Sequence, residues 1–362
     1  MDSKMNMIKW GRKVIDRYFI KGLSGMAAGL FSTLIIGLIL KQIGSFAPET
    51  SIGMLLIQLG QLASVLTGVG IAIGTAHSLD APKLVLYASG LNGLVGAYSL
   101  SLISDNLIGE AGILLSGPGE PLGAFLATII GVEIGRLVSG KTSLDILITP
   151  AVTIIAGSFV AVLLGPPISV FMGSLGGLIE SATSLHPFMM GMIISVLMGI
   201  FLTLPISSAA ISIILGLSGL AAGAATVGCS AQMIGFAVMS YKENKMNGLL
   251  AQGLGTSMLQ IGNIVRNPRI WIPPILASAI LGPLATKVFA MENVAAGAGM
   301  GTSGLVGQIL TWQTMTGSRE PMSVLIAILL LHFVLPAILT LIFAWILKHM
   351  GWIKDGDLKL EL

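Results

Sequence analysis

The stretch MSVLIAILLLHFVLPAILTLIFAWIL, residues 322–347, decides the fold: it holds no Asp, Glu, Lys or Arg. About 20 mostly apolar residues cross a bilayer as a helix, and this run exceeds that length. The same criterion selects 22–43, 52–76, 83–103, 118–138, 144–165, 187–205, 206–222, 226–241 and 270–290. The expectation is an all-α polytopic membrane protein of about ten transmembrane helices. Four further apolar stretches, 107–117, 166–185, 246–268 and 293–312, are interrupted by Gly, Pro or polar residues and read as re-entrant hairpins or broken helices.

Composition agrees. Of 362 residues, 54% are hydrophobic and 10% charged, whereas a soluble domain carries roughly 25% charged residues. The 47 glycines suit helices that approach closely and break where needed. The lone Cys229 excludes an internal disulfide and a cysteine metal cluster, and reads as a small packing residue. No HExxH, Walker A or GxSxG motif occurs, so a self-contained catalytic site, a cofactor and a nucleic-acid partner are not expected.

Residues 1–21, rich in Lys and Arg and carrying Trp10 and Tyr18, read as an amphipathic helix on an anionic membrane surface. Lys83, Arg136 with Lys141, Lys242 with Lys245, and Lys348 with Lys354 and Lys359 fall at alternate turns, while FAPETS (46–51) and SDN (104–106) carry no cation. By the positive-inside rule both termini are cytoplasmic. Residues 349–362 read as a short cytoplasmic tail.

An ionisable residue at membrane depth asks for a partner or a role. Glu120, in SGPGEPLG, reads either as a site carboxylate or as a helix cap. Glu133 with Arg136 reads as a structural pair. His186, before Pro187 and after a Ser/Thr-rich stretch, is a candidate for solute contact. His332 reads as a buried histidine satisfied by a neighbouring carbonyl. The segment GTSMLQIGNIVRNPRIWIPP (255–274) gathers Gln260, Asn263, Arg266, Asn267 and Arg269 in a Pro-broken chain. Carboxamides and guanidinium forks present many donors to a hydroxyl-rich or anionic ligand. A cytoplasmic turn with ordinary inside arginines is the alternative reading. Gly-Pro-Gly-Glu-Pro (117–121) and Gly-Ser-Arg-Glu-Pro (317–321) each precede a span, and LLGPP (163–167) and ILGPL (280–284) each end one, as either duplicated halves or chance would give.

DILITPAVTIIAGSFVAVLLGPPISVFMGSL (145–175), LHPFMMG (185–191), the small-residue block 207–245 and GLGTSMLQIGNIVRNPRIWIPPILASAILGPL (253–284) together resemble the membrane (EIIC) component of the bacterial phosphotransferase system, over about residues 15–348. The likeness is to the EIIC type 2, perfringolysin-regulator-like subgroup within a glucose-superfamily-like fold. The resemblance implies a scaffold and homodimerisation part (22–140) and a transport part (141–348) in the bacterial cell membrane. It also implies a sugar-like solute moved by elevator-type or rigid-body alternating access, with phosphate supplied by a separate EIIB. In sugar-transporting members a histidine at the start of a late span and a glutamate before a hairpin proline bind the sugar. His186 matches the first, and Asn267 stands where the glutamate would be. An amide hydrogen-bonds a sugar but takes no proton, so a non-phosphorylating transporter or a membrane sensor on the same fold are the alternatives.

Overall fold

The computed structural model describes residues 13–109 and 112–360. Most of the expected amphipathic N-terminal helix lies outside the described residues; from Ile15 the chain is already helical and continuous with the first span. In order, the helices are α1 (Ile15–Ser45), α2 (Ser51–Val65), α3 (Thr67–Ser78), α4 (Lys83–Ala97), α5 (Ser99–Ile103), α6 (Pro121–Val138), α7 (Asp145–Thr183), α8 (Pro187–Thr203), α9 (Ser208–Ile214), α10 (Gly219–Met239), α11 (Tyr241–Leu250), α12 (Ile261–Arg266), α13 (Ile272–Pro283), α14 (Ala295–Ala298), α15 (Val306–Met315) and α16 (Pro321–His349). A two-stranded antiparallel hairpin, β1 (Ile108–Gly109) and β2 (Gly112–Ile113), lies between α5 and α6. Among the described residues six helices are long and apolar enough to cross a membrane, or seven if α2 and α3, bent by 55°, make one span; α8 is a shorter apolar helix. The protein is an all-α polytopic membrane protein; among the described residues fewer helices reach full spanning length than the runs hydropathy selects.

The differences have local causes. The runs 144–165 and 166–185 form one helix, α7, of 39 residues with Pro150, Pro166 and Pro167 inside it. Proline removes one donor and clashes one turn back, yet membrane helices tolerate it where local adjustment re-satisfies the carbonyls. At 1.5 Å per residue α7 runs about 58 Å. For the same reason LLGPP does not end a helix, and ILGPL is passed by the helical run Pro268–Val288. The run 206–222 is split: α9 stops at Ile214, and Gly216 (φ 58°) and Gly219 (φ 57°) adopt a left-handed backbone. Two of the sharpest starts share one device. Glu120 accepts the Leu122 N–H at 3.3 Å ahead of Pro121, and Glu320 accepts those of Met322 (3.1 Å) and Ser323 (2.8 Å) ahead of Pro321. The paired Glu-Pro motifs thus share a capping chemistry.

The described chain divides into two compact units, 13–37 with 58–169 and 38–57 with 170–360. The division within α7 falls at Ser169, later than the expected 140. In the first unit GMAAG (25–29) of α1 crosses GIAIG (70–74) of α3. A Cβ on Gly70 would stand 2.7 Å from the Gly29 carbonyl oxygen, so only glycine permits this spacing. Arg17 donates to Glu133 at 2.7 Å and to the Leu79 carbonyl at 3.3 Å, and Arg136 lies 3.9 Å from Glu133. The expected Glu133–Arg136 pair is therefore one edge of a three-residue network.

In the second unit α10 is the central helix, with 89% of its span buried. Ser195 of α8 donates to the Ser278 carbonyl of α13 at 2.6 Å, and Ser278 donates to the Gly228 carbonyl of α10 at 3.3 Å. A Cβ on Gly228 would overlap the Ser195 backbone. Gly228→Ala is expected to destabilise the protein by about 1–3 kcal/mol through overpacking. Gly173→Ala, where nothing lies within 4 Å of the added carbon, is expected to be neutral or stabilising by up to about 1 kcal/mol. Unfolding of both variants in detergent checks this, and equal effects would refute the packing argument.

Candidate functional site

After α10 the chain does not cross back as a regular helix. Lys245 takes a left-handed backbone (φ 53°) within α11, and Thr256 is extended, its hydroxyl accepting the Met258 N–H at 3.2 Å. A 3₁₀ turn, Ser257–Gln260, leads into α12. Asn267 is again extended and accepts the Arg269 N–H at 3.2 Å before the 3₁₀ turn Pro268–Trp271. Residues 257–264 are all buried. Non-helical backbone at membrane depth survives only where protein satisfies it or it lines a wet cavity; here the Thr256 hydroxyl, the Asn267 side chain and neighbouring main-chain carbonyls satisfy it, while the buried side-chain amides pair with one another.

Those amides form a ladder. Gln252 donates to Ser240 Oγ (2.8 Å) and to the Gly248 carbonyl (2.9 Å). Gln260 donates to Gln252 Oε1 (2.9 Å), Asn263 donates to Gln260 Oε1 (2.8 Å), and Arg266 donates to Asn263 Oδ1 (3.4 Å). The second amide hydrogens of Gln260 and Asn263 reach the carbonyls of Leu358 (3.0 Å) and Lys359 (2.9 Å). Asn267 donates to the Trp352 carbonyl (3.0 Å) and to Asp357 Oδ2 (2.8 Å). The segment expected to be a plain polar tail is therefore folded onto the broken segment, with Ile353 and Leu358 buried beside Phe236, Ile264, Ile270 and Leu347.

Toward the centre of the unit lies a second polar group. Thr203 at the end of α8 is 2.7 Å from Ser257 Oγ, and the Trp271 indole N–H donates to Gln232 Oε1 at 3.0 Å. Gln232, on α10, is fully buried, and its amide nitrogen has no hydrogen-bond partner within the protein. On the other side of α10, Gln308 of α15 lies 3.0 Å from His332 Nδ1 and 3.4 Å from Ser230 Oγ, while His332 Nε2, Gln308 Oε1 and Thr311 Oγ1 lack protein partners. His332 is thus held by a carboxamide where a carbonyl was expected, and the helix around it, Leu330–Val334, widens into a π-type turn. Such turns recur at functional positions.

The structure gathers Gln260, Asn263, Arg266 and Asn267. It does not bring His186 to them. His186 begins α8, exposed, 3.5 Å from Lys287 Nζ, whereas the broken segment meets Thr203 at the other end of the same 17-residue helix, about 25 Å away. Glu120 belongs to the first unit, half-buried, as the cap of α6. Sequence reasoning missed Gln232, Thr203, Ser257, Trp271, Asn244 and Gln308. Lone carboxamides in apolar spans were the available signal for Gln232 and Gln308, because each imposes a desolvation cost unless partnered.

These features define a class: an all-α membrane protein whose second unit carries a protein-buried break lined by carboxamides, the architecture of a solute-handling membrane protein. Residues 20–360 match the family described as phosphotransferase system, EIIC, and the chain belongs to it. It is a membrane component of that sugar-transport system. No curated protein matches the chain.

Two expectations follow. A double-mutant cycle on Gln308→Leu and His332→Leu should give a favourable coupling near 0.6 and up to roughly 1.7 kcal/mol, the range for interhelical hydrogen bonds in membranes; additive effects would remove the pair. The second concerns Lys242 and Asp355, exposed and 2.6 Å apart. Their hydrogen bond and mutual attraction hold the Asp355 carboxyl below the usual carboxylate range and raise the Lys242 ammonium. With a depressed acid in the folded state, its contribution is complete above the unfolded carboxylate pKa of about 4 and is lost as pH falls further. The difference in unfolding midpoint between wild type and Asp355→Asn should be flat from about pH 6 to about pH 8, close in acid, and shrink with salt.

Proposed function

We propose that the second unit binds a neutral sugar or sugar-like solute where the broken segment 256–271 meets α10. Gln232, Thr203, Ser257 and Trp271 form the inner wall and Gln260 and Asn263 the outer one, with Asn267 and Arg266 at the rim. The observation that carries this reading is the Gln232 amide nitrogen, fully buried without a protein acceptor while its oxygen is committed to Trp271. An orphan donor of this kind costs about 1–3 kcal/mol, and a solute hydroxyl would recover it. The half-buried Trp271 ring offers the apolar face that a sugar ring needs, and carboxamides supply directional donors and acceptors.

The broken segment lies at the cytoplasmic end in this reading, because Lys242, Lys245, Arg266, Arg269 and Lys348 collect there. Both termini are then inside the bacterial cell membrane. His186 with Lys287 marks the opposite, outward mouth along α8. Glu120 is a helix cap outside the solute site. The first unit is the homodimerisation scaffold, the second moves the solute by rigid-body alternating access, and a separate EIIB phosphorylates it from the cytoplasm. One observation favours a second reading, transport without phosphorylation: Asn267 offers an amide, already committed to Trp352 and Asp357, where a proton-accepting carboxylate would serve.

Uptake of a panel of radiolabelled hexoses and N-acetylhexosamines into vesicles, with and without phosphoenolpyruvate and the soluble phosphotransfer proteins, separates the two. Phosphorylated sugar inside supports the first reading and unmodified sugar the second. Gln232→Leu is expected to weaken uptake about tenfold, the equivalent of one hydrogen bond of about 1.4 kcal/mol. It removes the orphan donor but also takes the acceptor from the Trp271 indole N–H, so the two effects offset and stability is expected to stay within about 1 kcal/mol of wild type. Undiminished affinity in that variant would exclude the site.

A further inference from the structure

We propose that residues 351–360 are a detachable internal latch that occupies the outer wall of the solute site and must leave before solute can pass its cytoplasmic end. This inference rests on the solute-site reading above.

The contacts have an unusual character. The latch is held mainly through its main chain: Asn244 donates to the Leu358 carbonyl and accepts the Leu360 N–H, both at 2.8 Å, so that one side-chain amide grips the segment as a neighbouring strand would. Gln260 takes the same Leu358 carbonyl, Asn263 that of Lys359 and Asn267 that of Trp352. Asn263 and Asn267 thereby commit their donor hydrogens to the latch or to their neighbours. A solute hydroxyl that needs those hydrogens competes with residues 351–360 for the same atoms. Occupation by latch and by solute is mutually exclusive at the outer wall.

The segment is also built to come off. Only two side chains, Ile353 and Leu358, are buried, while Gly351, Trp352, Lys354, Asp355, Gly356 and Lys359 are exposed. Gly351 (φ 69°), two residues past the end of α16, and Gly356 (φ 94°) adopt the left-handed backbone that lets the chain turn back on itself. Each hydrogen bond to the latch exchanges for one to water, so its net contribution is modest, and holding ten residues in place costs conformational entropy that opposes it. The tether supplies the remainder, since a segment this close to its groove acts at an effective concentration on the order of millimolar. At the rim, Arg269 lies over the Trp352 ring, 5.1 Å from its centroid, and Lys242 pairs with Asp355. Both contacts are exposed and open to competition from an anionic surface.

The test uses three proteins in vesicles: the full chain, a chain ending at Gly351, and the full chain with Asn244→Ala. Asn244 touches the latch and lies outside the proposed solute wall. Two readouts are taken, initial uptake of the labelled sugar panel below saturation and binding of a fluorescein-labelled peptide of sequence GWIKDGDLKLEL. If the latch is closed about nine-tenths of the time, its release raises apparent affinity about tenfold. The truncated chain and Asn244→Ala should both show that gain, and the peptide at millimolar concentration should reverse it in the truncated chain. Peptide binding should weaken when Asn263→Ala is added. If loss of Ile353 and Leu358 unfolds the truncated chain, Asn244→Ala carries the uptake test alone. Unchanged uptake in a folded Asn244→Ala or truncated protein overturns the latch, as does a folded truncated chain that does not bind the peptide. Failure of the solute site is read elsewhere, from undiminished affinity in Gln232→Leu.

Discussion

A backbone amide buried away from water must find a partner, and in the second unit this requirement organises everything around residues 256–271. A regular helix would satisfy its own hydrogen bonds and leave nothing to arrange. Once the chain is extended at Thr256 and again at Asn267, its orphaned groups require side-chain oxygens and amides nearby, and those groups in turn require partners of their own. The Thr256 hydroxyl and the Asn267 side chain take the Met258 and Arg269 N–H groups, and the ladder from Ser240 through Gln252, Gln260 and Asn263 to Arg266 pairs the buried side chains around them. Its last open donors fall on carbonyls of residues 352–359. The folding of the distal segment is thus a consequence of a break made about 90 residues earlier, since Asn267 and Asp357 are 90 positions apart.

The break can be buried because α8, α10 and α13 approach closely enough to leave little room for water or lipid between them. Gly228 and the serine relay Ser195–Ser278 set that approach. Without a hydrophobic force between helices in lipid, small residues and interhelical hydrogen bonds supply cohesion. The first unit uses the same principle with a different surface, the paired GMAAG and GIAIG crossings.

How much of this the sequence discloses depends on which atoms make each contact. The membrane class is legible in 322–347 alone, and helix starts at Pro121, Pro187 and Pro321 follow from proline's fixed φ and missing donor. The broken character of 246–268 is legible from its glycines, proline and amides, and the chemistry of Gln260, Asn263 and Asn267 from their side chains. The docking of residues 351–360 is not, because carbonyls of Trp352, Leu358 and Lys359 accept the bonds and every residue type has a carbonyl. The spacing of His186 from the broken segment is also invisible. Motif order says nothing about which end of a helix a residue occupies, and α8 puts its whole length between the two. The prolines of α7 mislead in the other direction, since a rule learned from water over-punctuates a helix surrounded by lipid.

The distribution of charge in the second unit gives the remaining constraint. The inner residues, Gln232, Thr203, Ser257, Gln260 and Asn263, are neutral, and the cations Lys242, Arg266 and Arg269 are exposed at the rim. Charge at depth without a counter-charge is costly, so an inner wall of carboxamides and hydroxyls suits an uncharged, hydroxyl-rich molecule and disfavours an anion. A cationic rim acts at longer range, drawing anionic surfaces toward the end where the break opens. Neutral groups at depth and cations at the rim support the proposed binding of an uncharged sugar there. The distal segment, with Asp355 against Lys242 and Trp352 against Arg269, covers part of that rim, so in the proposed reading anything approaching from the cytoplasm meets this segment first.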